Sequence, residues 1–404
     1  MARCRDRGWL FVVFAVLMAP SPALAQPRDI APLLTPILEA HKVPGMAAAV
    51  VEGDHVVMIG AAGVRAAGKP EAATIDDLWH LGSCTKSMTA SLCAMLVEDG
   101  RLRWDQTIAE SFPDLADEMD PGWKKATLRQ LVTNRAGVPA DLSMEDLWGR
   151  LWRSNEPPAR ARLLLIEGVT QRPPLHEPGT TYLYSNAGFA IAGAMAERAA
   201  GEPYESLIQR RLFGPLGITT AGFGPPGLPG LNIQPKGHRN PTTPLGVNHD
   251  ADNPFAIAPA GLVHMSIGDW AKYVSWHLRA DAENPRRGLG LLKAETFDTL
   301  HTPPEGGDYA AGWMVTSRPW GDGRVLTHSG SNTAWYCVTW AAPKRDFAVL
   351  VCCNIGQESG AKGTDAAAWA LIQEFQKSKA QQGREAPATT PGESAPVRSG
   401  PGGR

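Results

Sequence analysis

The sequence contains no Gly-x-Ser-x-Gly, the strand-to-helix elbow that carries the nucleophile of an α/β-hydrolase, and no His-Glu-x-x-His pair for a catalytic zinc. Neither a Cys-x-x-Cys pair nor clustered histidines offer a structural zinc site. Of six cysteines, Cys4 precedes the first apolar run, and the five that remain are an odd number, which excludes a complete disulfide framework. Most of them read as small buried apolar residues. There is no basic run, and 39 Lys and Arg against 41 Asp and Glu leave a net charge of −2, so a nucleic-acid footprint is absent. No internal repeat is visible. After residue 25 no segment is long and apolar enough to span a membrane. What is present is ordinary: 404 residues, 43% hydrophobic and 20% charged, enough for a large core in one domain or two intimate ones.

Residues 1–25 read as a leader outside the fold. Arg3, Arg5 and Arg7 precede the short apolar run Trp9–Ala19, Pro20 and Pro22 follow, and Ala23-Leu24-Ala25 supplies a small-x-small cleavage site. Cleavage is expected after Ala25, and the mature protein is expected in a periplasm or outside the cell. An uncleaved anchor is the competing reading.

Apolar spacing predicts a first helix over "DIAPLLTPILEAHKVPG" and then a hairpin, "MAAAVVEGDHVVMIGAAG", turning at Gly53-Asp54. A helix is expected from Ser83 to the stop at Gly100, and further helices to roughly residue 250, broken by Pro/Gly-rich loops. "SIGDWAKYVSWHL" is a capped helix, and strand texture returns in "AAGWMV", "GRVLTHSG" and "WYCVTWAAPKRDFAVLVCCN". If Ala342 pairs with Phe347 in that last hairpin, Cys337 lies opposite Cys352, and a cross-strand disulfide becomes geometrically open. A helix over "GTDAAAWALIQEFQKSK" closes the fold, and residues 377–404 read as a disordered tail. Strands at both ends with helices between them predict an α+β (mixed α/β) fold: an antiparallel sheet flanked by terminal helices, carrying an inserted helical lobe. The sheet lobe would span roughly 26–82 and 255–376, the helical lobe roughly 83–254, and a site between the lobes is expected.

Three short elements carry residues fit for chemistry. Ser83-Cys84-Thr85-Lys86 puts a hydroxyl and an amine on one helix face. A serine needs a base, and a lysine serves once burial lowers its pKa. The competing reading is an N-cap, and Ser359-Gly360-Ala361-Lys362, read as a loop, shows how cheap the pattern is. Tyr184-Ser185-Asn186 offers a second proton carrier and an amide, or a packed tyrosine followed by a helix cap. His328-Ser329-Gly330 ends a strand, where Gly330 lets a ligand approach the backbone and the edge can present an N–H to an oxyanion. "NHDADN", Asn248 to Asn253, reads as a polar loop rather than a metal cluster. Trp148 and Trp152, one helical turn apart, read as core packing.

In the order Ser-x-x-Lys, Tyr-x-Asn, His-x-Gly, with "VPGMAAAVVEGD", "LRQLVTNRAGVP", "PAGLVHMSIGDWAKYV" and "YAAGWMV" around them, the chain resembles the serine β-lactamases and penicillin-binding proteins over roughly Val43 to Phe375. It is most similar to the branch of class C β-lactamases, D-aminopeptidases and esterases. The resemblance implies that Ser83 forms an acyl-enzyme and that Lys86 and Tyr184 handle the proton. Asn186 would bond Lys86 and the substrate, and the N–H groups of Ser83 and Ser331 would form the oxyanion hole. It implies no metal or organic cofactor. The expected partner is a small or short-peptide substrate, cell-wall fragments included. Where strong β-lactam binders carry Lys-[Thr/Ser]-Gly, this chain has His328-Ser329-Gly330, a pattern found among non-lactamase relatives. The expectation is therefore peptidase, amidase or esterase action ahead of class C-like β-lactamase action, with a non-catalytic penicillin or cell-wall sensor as the rival. Histidine is a conditional charge near neutral pH, so activity on carboxylate-bearing substrates is expected to fall as His328 loses its proton.

Overall fold

A computed structural model describes residues 26–143, 146–248, 251–288 and 290–385. The expected leader, residues 249–250 of "NHDADN" and the tail beyond residue 385 lie outside the described residues.

The first helix, α1 (Ala31–His41), leads into the hairpin β2 (Gly45–Glu52) and β3 (His55–Gly63), preceded by the short β1 (Arg28–Asp29). From the other end of the chain come β9 (Met314–Arg318), β10 (Gly323–Ser331), β11 (Tyr336–Ala342) and β12 (Phe347–Cys353). Together they form one seven-stranded sheet in the order β1-β3-β2-β12-β11-β10-β9, antiparallel except for the β1–β3 pair. The strand period of two divides its side chains between two cores. Met46, Ala48, Val50, Val349 and Val351 point to one face, where they meet Leu34 and Leu38 of α1 and Leu371, Ile372 and Phe375 of α12 (Gln357–Glu385). Ala47, Ala49, Val51, Leu350 and Cys352 point to the other and join the larger core. Because β2 and β12 are covered on both faces, they read as near-continuous apolar runs.

The helical portion packs on that second face. Its centre is α2 (Thr85–Glu98), in which every residue from Thr85 to Leu96 is buried. A helix enclosed on all sides must satisfy its hydroxyls internally. Ser87 donates to the Cys84 carbonyl, Ser91 to the Ser87 carbonyl, and Thr89 to the Pro259 carbonyl. Around α2 lie α7 (Asn186–Ala200), α9 (Ala258–Gly261) and α10 (Ile267–Ala280), and α10 bridges to β2 and β12. Arg162, fully buried on the helix Pro158–Thr170, is forked by Glu197 and Glu205 and so ties that helix to α7.

Several expectations change. A second, three-stranded sheet is formed by β4 (Leu78–His80), β8 (Val263–Ser266) and β5 (Gly222–Phe223), of which β5 falls within the stretch expected to be helical. In "AAGWMV" the strand begins only at Met314, since Ala310 and Trp313 close a tight turn. The last helix starts at Gln357 and continues to Glu385, so residues 377–385 are helix rather than tail. Ala, Gln, Lys and Arg are good helix formers and need no buried face to extend a helix already anchored. The same helix contains Ser359 to Lys362, where a loop was expected, but Lys362 is exposed and pairs with Glu358. Cys337 does stand opposite Cys352, yet the five cysteines of the described residues are all free thiols. Trp148 and Trp152 meet edge to face at 6.5 Å, half-buried, and Trp152 lines a cavity of about 280 Å³ beside Phe255.

Candidate active site

Ser83 sits in a single 3₁₀ turn, Gly82–Cys84, between β4 and α2. The helix proper starts two residues later than expected. Its cap position falls to Cys84, whose side chain makes no capping bond, so Ser83 is not a helix cap. Its hydroxyl lies 3.0 Å from Lys86 Nζ. Lys86 also donates to Asn186 Oδ1 at 2.6 Å and to the Ala260 carbonyl at 2.9 Å. The Tyr184 ring centroid stands 4.7 Å from Lys86 Nζ, which places the tyrosine beside the Ser83–Lys86 pair. The cap of α7 is Ser185, which accepts from the Gly188 N–H, and this leaves Asn186 free to serve Lys86.

Burial sets the protonation states. Removal from water brings the Lys86 amine down to about 7 and pushes the Tyr184 phenol well above its ordinary value. Near neutral pH the site therefore holds an amine able to take a proton and a phenol that keeps its own. That pairing can draw the proton from Ser83 and return one to a leaving group.

Strand β10 brings the third element against the nucleophile turn. Gly82 has φ +47°, and a Cβ there would lie 2.3 Å from the Ser331 nitrogen; one on Gly330 would lie 2.0 Å from the Leu81 carbonyl oxygen and 2.9 Å from the Ser83 nitrogen. Only two glycines let the Ser83 and Ser331 N–H groups come this close. Ser331 Oγ accepts from the Thr333 N–H and so holds the turn that follows. Pairing of β10 with β9 runs only from Gly323 to Thr327, leaving Ser329–Ser331 beyond the end of that neighbour. Ser329 is exposed and lines, with Thr327 and Arg318, a cavity of about 450 Å³.

His328 corrects an expectation. It is buried, Nδ1 lies 2.6 Å from the Ser329 carbonyl oxygen, and Nε2 lies 3.0 Å from the Tyr309 hydroxyl. A carbonyl only accepts, so Nδ1 carries the proton and Nε2 accepts from Tyr309. Burial, helped by the nearby Lys86 charge, lowers His328 to about 4. It is therefore neutral at neutral pH and cannot act there as a conditional cation. His328→Gln is expected to leave the midpoint of the kcat/KM pH profile within about half a unit of wild type. A shift larger than that, read from initial rates, would restore His328 as a titrating group.

Residues not foreseen complete the setting. Ala260 supplies a carbonyl to Lys86 from "PAGLVHMS", and Tyr309 holds His328 from just before "AAGWMV". Asp252, expected in a polar loop, is buried and bonded to His80 at 2.7 Å. Among the described residues no three His, Cys, Asp or Glu side chains group closely enough to hold a metal.

A family model described as Beta-lactamase matches residues 30–374. The chain belongs to the beta-lactamase family. This family member is 28% identical over 260 residues to Unguisins hydrolase ungD of Aspergillus violaceofuscus, covering 61% of this chain and 44% of that protein. It is 30% identical over 179 residues to Penicillin-binding protein 4 of Amycolatopsis lactamdurans, covering 44% of each. The chain thus spans less than half the length of both curated relatives. Among solved structures, the D-alanine carboxypeptidase AmpC from Burkholderia cenocepacia superimposes with a TM-score of 0.66 at 18% identity, over 85% of this chain and 97% of that one. The architecture is accordingly the β-lactamase/transpeptidase fold, and the protein is a serine hydrolase-like member of the beta-lactamase family.

Proposed function

We propose that this beta-lactamase-family protein is an exported serine hydrolase that works through an acyl-enzyme on small amide or ester substrates. D-residue peptides and esters stand ahead of β-lactams. The observation that carries this reading is the Lys86 amine, lowered to about 7 by burial and 3.0 Å from Ser83 Oγ.

In the proposed reaction the neutral Lys86 amine takes the Ser83 proton as Oγ attacks a carbonyl, and the N–H groups of Ser83 and Ser331 hold the oxyanion. Tyr184 donates to the leaving group and is reprotonated from Lys86. Water, activated by the same pair, then releases the acyl group. The substrate preference rests on position 328. A lysine there would be a fixed cation for a substrate carboxylate, whereas His328 is neutral and already engaged by Tyr309. Neutral esters and amides therefore suit the site better than the carboxylate of a β-lactam.

The test uses a fluorophosphonate and a labelled penicillin on purified protein, with turnover of a nitrophenyl ester, a D-peptide and a cephalosporin measured side by side. The expected result is fluorophosphonate label on the peptide containing Ser83, turnover of the ester, and cephalosporin hydrolysis at least about 10-fold less efficient, a difference of about 1.4 kcal/mol in barrier. Labelling at Ser83 with no turnover of any of the three substrates would make the protein a binder. No labelling would remove Ser83 as the nucleophile.

A further inference from the structure

Behind the nucleophile turn lies a buried polar chain that takes no direct part in the proposed chemistry. His80 and Asp252 have side chains 0% and 2% exposed, with Nε2 and Oδ2 2.7 Å apart. The Gly82 N–H donates to His80 Nδ1 at 3.1 Å, so that nitrogen carries the lone pair and Nε2–H donates to the carboxylate. The other oxygen, Asp252 Oδ1, accepts from Asn332 Nδ2 at 2.9 Å and from the Asn253 N–H at 2.8 Å. Asn332 in turn accepts through Oδ1 from the N–H groups of Ala334 and Trp335, both at 3.1 Å.

The ends of this chain are informative. Gly82 immediately precedes Ser83, and Asn332 immediately follows Ser331. Those are the two residues whose N–H groups would hold the oxyanion, and they come from elements about 250 residues apart in sequence. Sheet pairing does not join them, since Gly82 belongs to the turn after β4 and Ser331 ends β10. A polar side chain bonded to both sides at once fixes their separation more tightly than apolar contact does, because hydrogen-bond geometry tolerates little misplacement.

We propose that Asp252 is a positioning residue for acyl transfer. Through His80 it sets the Gly82–Ser83 turn, and through Asn332 it sets the end of β10, so that one buried carboxylate holds the two oxyanion donors at their working distance. This rests on the reading of Ser83 as the nucleophile.

Asp252→Asn tests it. The new amide must turn its NH₂ toward His80 Nε2–H or toward Asn332 Nδ2, both donors, so one side of the clamp opens. With a nitrophenyl ester, kcat is expected to fall about 10- to 100-fold while KM stays within about threefold, because the donors act on charge that develops only in the transition state. The double change Asp252→Asn/Asn332→Asp restores the bond to His80 and the bond between positions 252 and 332, and leaves unmet only the Asn253 N–H that Asp252 Oδ1 accepted. The amide at 252 accepts from His80 and donates to the carboxylate at 332, whose other oxygen keeps the Ala334 and Trp335 N–H groups. It should return kcat to within about threefold of wild type. His80→Asn, which can still accept from Gly82 but no longer reaches Asp252, provides a second route should Asp252→Asn not be recovered folded. It should lose kcat to the same extent. If Asp252→Asn lowers Tm but leaves kcat within twofold, or if the double change restores Tm and not kcat, Asp252 is structural and the proposal fails. A wild-type protein that neither labels at Ser83 nor turns over ester takes the hydrolase reading down together with this one.

Discussion

Lys86→Met should lower kcat/KM for a nitrophenyl ester by about 10³-fold, roughly 4 kcal/mol of transition-state stabilisation, and should abolish the acid limb of its pH profile. In the wild type the limb arises because a serine proton can pass only to an unprotonated amine. Burial holds Lys86 at about 7. Below that value the ammonium is engaged by Ser83, Asn186 and Ala260 and has no lone pair to offer. Activity should therefore rise about tenfold per pH unit up to a midpoint near 7 and level off above it. Methionine fills a similar volume without titrating. No neighbouring group supplies a substitute limb: burial, the main cause of the low His328 value, persists in the variant without the Lys86 charge, and the Tyr184 phenol and the Cys84 thiol are both pushed up by burial. Stability should change little, because the variant removes a buried charge while leaving the Asn186 and Ala260 oxygens without their donor. Steady-state rates between about pH 5 and 9 on both proteins decide it. A variant that keeps the wild-type limb would show that another group is the base.

The contrast between Lys86 and His328 shows what the sequence could and could not convey. Ser83 and Lys86 are three apart, and Tyr184 and Asn186 two apart, so each pair could be named from spacing, but a helix cap and a packed tyrosine stayed open as readings because the bond that joins the two elements, Lys86 to Asn186, spans 100 residues. The near-continuous apolar runs of β2 and β12 fit a sheet covered on both faces. The state of His328 was not legible, because it depends on Tyr309 and on burial by elements distant in sequence. The residue type alone suggested a cation, and the tertiary environment makes it neutral. Asp252 shows the same limitation from the other side. Its surroundings in "NHDADN" are polar, and its partner His80 is 172 residues away, so nothing local marks it as the buried member of that run. The free thiols follow this logic too. Register placed Cys337 opposite Cys352, but Cys337 Sγ lies 3.1 Å from the Leu81 carbonyl oxygen and 3.5 Å from Cys84 Sγ, contacts that only the assembled nucleophile turn provides.

Gly330→Ala should be severely damaging for a single added methyl. The position has no requirement for a left-handed backbone, so the effect comes from space alone. The added Cβ would stand 2.0 Å from the Leu81 carbonyl oxygen, 2.9 Å from the Ser83 nitrogen and 3.0 Å from Cys337 Sγ. Two of those atoms are backbone, one in the turn that carries the nucleophile, and they cannot rotate away as a long side chain could. Relief requires β10 to move off the turn by about 1.5 Å, the gap between that separation and an ordinary C···O contact. The same movement pulls the Ser331 N–H away from the Ser83 N–H. Two losses should therefore appear together: about 1–3 kcal/mol of stability from overpacking, and about 10²- to 10³-fold in kcat from a misplaced oxyanion donor. Gly268→Ala, on α10 with nothing within 4 Å of the added methyl, is the matched control and should be neutral or stabilising by about 0.5–1 kcal/mol. Thermal melts and fluorophosphonate labelling rates on both variants separate the two effects, since labelling follows the oxyanion donors and melting follows the packing. If Gly330→Ala labels at the wild-type rate, the close approach of β10 to Ser83 serves only packing, and the oxyanion must be held elsewhere.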